Sequence, residues 1–119
     1  MSLTNQKLKK TSLSGWGNYP RRTSYVAKPS TLNDLFELTK NKKIIARGNA
    51  RSYGDSSISS NITMDMRNFN KIIEFDEDRG IITAESGVML SDLIYKFLPH
   101  GLFPYVTPGT KYVTIGGMV

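Results

Sequence analysis

The chain has no cysteine, one histidine and one tryptophan. Without cysteine there are no disulfides and no thiolate metal sites. No stretch approaches the roughly 20 consecutive apolar residues that a membrane-spanning helix needs. Lys7, Lys9 and Lys10 are followed by no apolar run, so the start does not read as a secretory signal. The default expectation is a cytoplasmic setting, with membrane association of a longer parent left open. A calcium loop is also missing. Asp76, Glu77 and Asp78 are clustered, but Gly80 falls at the fifth position and Gly87 stands at the twelfth, where an EF-hand places its bidentate Glu. No metal site is expected.

What is present suits one folded unit. A length of 119 residues lies within the ordinary range of a single domain. Hydrophobic residues make up 39% and charged ones 22%, which supports a small core and argues against disorder. The charge is lopsided. Residues 1–60 carry eleven Lys or Arg against three acids, and residues 61–119 carry five against seven. A basic front half fits nucleic acid, anionic lipid, a phosphorylated ligand or simply a solvated surface. The run Lys40-Asn41-Lys42-Lys43 has no interleaved aromatics, so it lacks the stacking platform of a single-strand binder.

The pattern of elements is α+β: a small β-α-β unit followed by antiparallel strands. Residues 1–12 are polar, lysine-rich and expected to be a flexible terminus, with the domain running over 13–119. Tyr25-Val26-Ala27 reads as a short strand. Ser30 or Thr31 is expected to cap a helix whose apolar face is Leu32, Leu35, Phe36 and Leu38, with lysines at its end. Lys43 to Arg47 is the next strand. A Gly/Ser/Asn-rich loop spans Gly48 to Asn61, and Ile62 to Met66 alternates as a half-buried strand does. Ile72–Phe75 and Ile81–Ala84 flank a turn of about five residues, a hairpin. A second helix is expected from Met89 or Leu90 to about Pro99, burying Leu90, Leu93, Ile94, Phe97 and Leu98, with Gly101 just past its end. Phe103 to Val106 is expected to be extended. The close on Ile115-Gly116-Gly117-Met118-Val119 is unusual for a complete domain, and the expectation is a fragment.

Two loops carry the chemistry. The first is Arg47-Gly48-Asn49-Ala50-Arg51-Ser52-Tyr53-Gly54-Asp55, directly after a strand. Its glycines permit a tight turn and close approach to a ligand. Successive N–H groups in such a loop form a concavity for an anion, and Arg47, Arg51, Ser52 and Ser56 add donors. Together they suit a pyrophosphate. Gly54 is followed by Asp55 rather than Lys-Ser/Thr, so this is not a Walker loop. Gly48 and Gly54 are six apart with no helix pattern after them, so it is not the Rossmann fingerprint. The second loop is Pro108-Gly109-Thr110 followed by Thr114-Ile115-Gly116-Gly117. Its paired glycines could open a helix whose N–H groups face a phosphate, and a plain turn explains them equally well. His100 sits beside a helix C-terminus, where a polar or positive residue is favoured, which weighs against a general-base role. Trp16 is expected to anchor its loop on the body.

Taken in order, Leu13-Ser14-Gly15-Trp16-Gly17, Arg47 to Asp55, Met64-Asp65-Met66, Glu85-Ser86-Gly87-Val88, Leu98-Pro99-His100-Gly101-Leu102 and the second loop resemble the FAD-binding domain of the vanillyl-alcohol oxidase and p-cresol methylhydroxylase (PCMH) type. Within it they are most similar to flavoprotein oxidases of decaprenylphosphoryl-ribose epimerisation. The resemblance covers nearly the whole chain. It implies the first subdomain of a PCMH-type FAD-binding domain, with Ala46, Arg47, Gly48, Asn49, Ala50, Arg51, Ser52, Tyr53, Gly54, Asp55 and Ser56 around the FAD pyrophosphate. It implies a second wall from Gly109, Thr114, Ile115, Gly116 and Gly117. Many relatives tether the flavin to a histidine in the first loop, and here that position matches Tyr53. The implied FAD is therefore held non-covalently, and Tyr53 faces either the flavin and substrate or a packed interior with its hydroxyl bonded.

The expected function is the cofactor-binding portion of an oxidoreductase that oxidises a hydroxyl-bearing carbon of a sugar, sugar lactone or similar alcohol. The catalytic base would lie outside this chain, which alone would be inactive. The competing expectation is a stand-alone phosphate- or nucleic-acid-binding module without redox activity, although no nucleic acid is expected as partner.

Overall fold

A computed structural model describes residues 8–40 and 43–119. Residues 1–7, and the Asn41-Lys42 centre of the lysine run, lie outside the described residues. The remainder of the expected flexible terminus is not loose: Lys9–Leu13 is a strand, β1. It pairs antiparallel with Arg22–Ala27, β2, in a register that sets Lys9 opposite Val26 and Leu13 opposite Arg22. That pairing is why β2 begins three residues before the apolar Tyr25-Val26-Ala27 stretch. Polar residues at an outer strand satisfy their backbone in the ladder while their side chains stay in water.

Helix α1, Leu32–Thr39, starts at Thr31. The Thr31 hydroxyl accepts the Asp34 N–H at 3.1 Å, and the Asp34 carboxylate accepts the Thr31 N–H at 3.0 Å. This reciprocal capping box is worth about 1 kcal/mol. The helix buries less than its sequence suggests. Leu38 is fully covered and Leu35 packs beside it, whereas Leu32 and Phe36 are 79% and 64% exposed. Eight residues make little more than two turns, so only one narrow side reaches the sheet. Lys40, the one lysine described at its end, follows the last turn and lies over the Phe36 ring at 5.2 Å.

Strand β3, Ile44–Arg47, and strand β4, Ile62–Asp65, complete a four-stranded sheet of order β1-β2-β4-β3. β4 runs parallel to both β2 and β3. The expected β-α-β unit therefore exists with a gap, which β4 fills. As the central strand, β4 is buried at all four positions rather than at alternate ones. Thr63 tolerates 0% exposure because its hydroxyl shares a proton with Ser24 Oγ at 2.7 Å and accepts the Ser59 N–H at 3.0 Å. The core on the α1 side is Ala27, Leu38, Ile62 and Met64.

The second unit is a hairpin, β5 Ile72–Asp76 and β6 Ile81–Ala84. Asp76 stays paired with Ile81, so the tip holds four residues rather than five. Helix α2, Leu90–Phe97, packs on the hairpin, with the Phe75 and Phe97 ring centroids 4.5 Å apart. A 3₁₀ turn, Leu98–His100, follows, and Gly101 at φ 78° ends it. Leu90 and Leu93 are buried as expected, while Leu98 is half exposed because it falls on this turn. Residues 103–106 form no strand, and Tyr105 and Val106 are exposed. A four-residue helix, α3 Ile115–Met118, ends the described chain.

Candidate functional site

Parallel neighbours β3 and β4 impose a demand on the loop between them. The chain leaves β3 at its carboxyl end and must return to the far end of the sheet before β4 begins. Such crossovers take a dozen residues or more and are usually helical. Here residues 48–61 do it with no helix, which leaves backbone groups in need of partners. The carboxyl ends of parallel strands are also where ligands bind in open sheets.

The loop is braced at several points. The Arg47 guanidinium, half-buried at the end of β3, donates from Nη2 to the Ser14 carbonyl at 2.7 Å and from Nη1 to Ser57 Oγ at 3.0 Å. Burial pulls its pKa below the ordinary arginine value; Asp65 opposes that and Arg67 adds to it. Gly15 lies so close that a Cβ there would meet the Ser52 and Gly54 carbonyl oxygens, and the Trp16 N–H donates to Ser52 O at 2.9 Å. Asp55 accepts from Arg22 Nε at 3.1 Å, tying the loop to the start of β2. Arg47 and Asp55, expected as ligand contacts, are thus engaged with the protein itself.

Between these braces the backbone is free. The N–H groups of Asn49, Ala50, Arg51 and Ser52 donate to no acceptor among the described residues. Ala50 holds φ at 58°, a left-handed conformation that costs a non-glycine residue of order 1 kcal/mol. A left-handed residue among right-handed neighbours turns successive N–H groups to one side, the geometry of an anion nest. These four residues line a cleft of about 340 Å³ together with Ala46, Gly48, Ser56, Ser57, Val113, Thr114 and Gly117. The Ser52 and Ser56 hydroxyls donate to Ser57 Oγ and Tyr53 O, so the four unpaired amides and the Ser57 hydroxyl form the donor set, one that fits a diphosphate.

The opposite wall behaves differently. Its glycine pair was expected to aim N–H groups at a phosphate. Instead the Ile115 N–H donates to Val88 O at 2.8 Å, Gly116 to Ser86 O at 2.9 Å and Gly117 to Thr114 O at 3.1 Å. The segment satisfies the start of α2 as well: Leu90 and Ser91, which have no side-chain cap before them, donate to Val113 O and Lys111 O. The amides of Ile115, Gly116 and Gly117 are thus taken by the protein, whereas those of Val113 and Thr114 donate to no acceptor among the described residues. Ile115, Gly116 and the exposed Gly109 are not part of the lining. The two walls meet where a Cβ on Gly48 would strike the Thr114 side chain, and where Asn49 Nδ2 donates to Tyr112 O at 2.9 Å.

Tyr53 is 79% exposed, its hydroxyl bonds to nothing among the described residues, and it is not part of the lining. Among the described residues Tyr53 therefore has no packed surroundings. Gly54, at φ 61°, also lies outside the lining. Trp16 does not anchor in the body either: it is 57% exposed and stacks under the Arg51 guanidinium at 5.3 Å. Sequence reasoning missed Ser57 and Val113 as cleft residues. Ser57 extends the Ser56 run by one residue and also accepts from Ser52 Oγ at 3.2 Å; Val113 carries no signal of its own. His100 is exposed on the 3₁₀ turn after α2 and does not line the cleft. Asp76 accepts from Arg79 N and Nε at the hairpin tip.

Asp65, at the end of β4, stands opposite Arg47 in the ladder. Burial pushes its carboxyl pKa up, but hydrogen bonds from the Arg67 guanidinium and backbone, with the charges of Arg67 and Lys28, bring it below the ordinary carboxylate value. The Arg67 Nη2–Oδ2 distance is 2.6 Å, and the same pairing raises the Arg67 pKa. No helix among the described residues is long and apolar enough to cross a membrane.

Comparison with known proteins agrees with this geometry. A family model described as an FAD binding domain matches residues 22–119. Decaprenylphosphoryl-beta-D-ribose oxidase of Mycolicibacterium smegmatis is 40% identical over 77 residues, 64% of this chain and 17% of that protein. L-gulonolactone oxidase of Scyliorhinus torazame is 28% identical over 96 residues, 76% of this chain and 22% of that protein. Among solved structures, a variant of cholesterol oxidase from Brevibacterium sterolicum matches with a TM-score of 0.78 at 20% identity, over 95% of this chain and 24% of that one. A BBE-like protein of Physcomitrella patens matches at 0.66 and 16% identity, over 91% of this chain and 28% of that one. The structural matches establish a shared mixed α+β fold. This chain spans less than a third of the length of each of these proteins. It belongs to the FAD-binding domain family of FAD-linked oxidoreductases.

Proposed function

We propose that this chain holds FAD for an enzyme that oxidises a hydroxyl-bearing carbon of a sugar, sugar lactone or similar alcohol. The observation that carries the proposal is the run of four unpaired amides, Asn49 to Ser52, on a cleft closed opposite by Val113, Thr114 and Gly117. Those amides hold the diphosphate, with the Ser57 hydroxyl, which accepts from Arg47 and Ser52 and keeps its own proton, as a further donor and Arg51 as a nearby positive charge. Gly48 lets the two walls approach, and Thr114 and Gly117 form the facing surface. When bound, FAD supplies the hydride acceptor; this chain's residues bind and orient it. The sugar-ribose and lactone oxidases among the relatives support the substrate class.

Attachment is non-covalent. The chain has no cysteine, and its one histidine, His100, does not line the cleft. The test uses the longest natural protein that contains this sequence. It should purify with flavin absorbance, release the flavin on denaturation, and bind FAD at least tenfold more tightly than FMN, which has no diphosphate bridge. A protein that takes up no FAD, or that prefers FMN, overturns the cofactor reading. Flavin that stays with the denatured chain overturns the non-covalent one.

A further inference from the structure

The arginines divide into two groups. Arg22, Arg67 and Arg79 each form an ion pair, with Asp55, Asp65 and Asp76. Arg21, Arg47 and Arg51 form no ion pair among the described residues, and all three line one hollow of about 390 Å³. Its other walls are Ser12, Leu13, Ser14, Gly15, Trp16, Asn18 and Ala50, with no carboxylate among them. This hollow shares Ala50 and Arg51 with the cleft described above but none of its far wall.

Its parts are held in place. Arg47 is fixed by Ser14 O and Ser57 Oγ. Arg51 lies over the Trp16 ring, a contact that orients the guanidinium without using its N–H donors. Arg21 Nη1 reaches Ser14 Oγ at 3.5 Å, and Ser14 Oγ in turn reaches Asn18 Oδ1 at 3.5 Å. Asn18 sits at φ 59°, a left-handed turn position that asparagine tolerates, and its N–H donates to Gly15 O at 3.2 Å. Asp65 acts on Arg47 from outside the hollow, but no carboxylate lines the hollow itself, and guanidinium forks match the oxygens of a doubly charged oxyanion with paired donors.

We propose that Arg21, Arg51 and Arg47, with Ser14 and Asn18, form a second oxyanion site, for a phosphate group distinct from the diphosphate of the cofactor. The phosphate is either free or esterified to an organic molecule. Arg51 borders both sites, so Arg21, which lines only this one, is the residue that separates them.

The experiment titrates the longest natural protein containing this sequence, with and without FAD, against inorganic phosphate and methyl phosphate at constant ionic strength. Calorimetry reads binding, and the part of the tryptophan fluorescence change that disappears in Trp16→Phe reads its location. A saturable heat with a matching Trp16 change, weakened about tenfold or more in Arg21→Ala and in Arg21→Gln, is the expected result. The ester binding more tightly assigns an esterified phosphate, and the inorganic ion binding more tightly assigns a free one. Three results overturn the proposal: no saturable heat, equal binding by the Arg21 variants, or mutual competition between phosphate and FAD, which would make the two sites one. FAD retention in Arg21→Ala is read separately. Phosphate binding without FAD binding would defeat the cofactor proposal and leave this one standing.

Discussion

The two glycine-bearing segments that face each other across the cleft look interchangeable as text. Each has small residues, a threonine or serine, and a position next to regular structure. Residues 49–52 keep four N–H groups unpaired, whereas Ile115, Gly116 and Gly117 place theirs on Val88, Ser86 and Thr114. The difference comes from the work each segment does for the fold. The second must satisfy the uncapped start of α2 and dock beside residues 86–88, so the amides of residues 115–117 are consumed by the protein. The first crosses between parallel strands held by Arg47, Asp55, the Asn49 side chain and the Ser52 carbonyl, braces that leave the N–H groups of residues 49–52 unpaired.

That contrast can be broken most severely at the point where the walls touch. Gly48→Ala drives a Cβ into the Thr114 side chain, and overpacking of this kind costs about 1–3 kcal/mol. FAD affinity should fall tenfold or more alongside a lowered denaturant midpoint. Gly117→Ala meets nothing closer than Thr114 Oγ1 at 3.7 Å, so a comparable loss there would erase the distinction between the walls. Next in size is Arg47→Ala, which removes the bonds to Ser14 O and Ser57 Oγ. The expected cost is about 2 kcal/mol, measured by urea unfolding, with FAD binding weakened as the loop ends separate.

Asp65→Asn tests the strand end beside Arg47 rather than the walls. The folded carboxyl has a pKa below its unfolded value of about 3.9. Its stabilisation is therefore present above about pH 4 and lost as pH falls through the folded value. At pH 7 the variant should be less stable by about 1 kcal/mol, a figure held down by the solvent exposure of the Arg67 end. The gap should close in acid. A gap that persists unchanged at pH 2 would assign the effect to packing. Smallest is Asn49→Ala, which cuts the one side-chain bond from the free loop to the opposite wall, at Tyr112 O. A loss of about 0.5–1 kcal/mol is expected, with a measurable rise in hydrogen exchange at residues 49–52.

Much of this fold could be read from residue order. The Thr31 cap, the β-branched run at 44–45, the hairpin and the buried Leu90 and Leu93 all follow from local pattern and sit where expected. What could not be read is anything set by a distant partner. β1 exists because β2 offers it an edge, and its own residues, Lys-Lys-Thr-Ser-Leu, carry no strand pattern. β4 is buried on both faces because β2 and β3 flank it. The cleft divides in the same way. The first loop was legible from its density of small and donor residues. The engagement of the second loop's amides was not, because their acceptors, Ser86 O and Val88 O, are some thirty residues upstream in the sequence.

β4 comes last among the four strands in sequence and stands inside the sheet in space. Until residues 62–65 arrive, β2 and β3 have no shared neighbour, and the segment strung between β3 and β4 has no fixed endpoints. Sheet closure and the shaping of the amide-bearing loop are thus one event. A ligand gripping residues 49–52 binds only the closed sheet, and by mass action it shifts the unfolding equilibrium of the strands themselves.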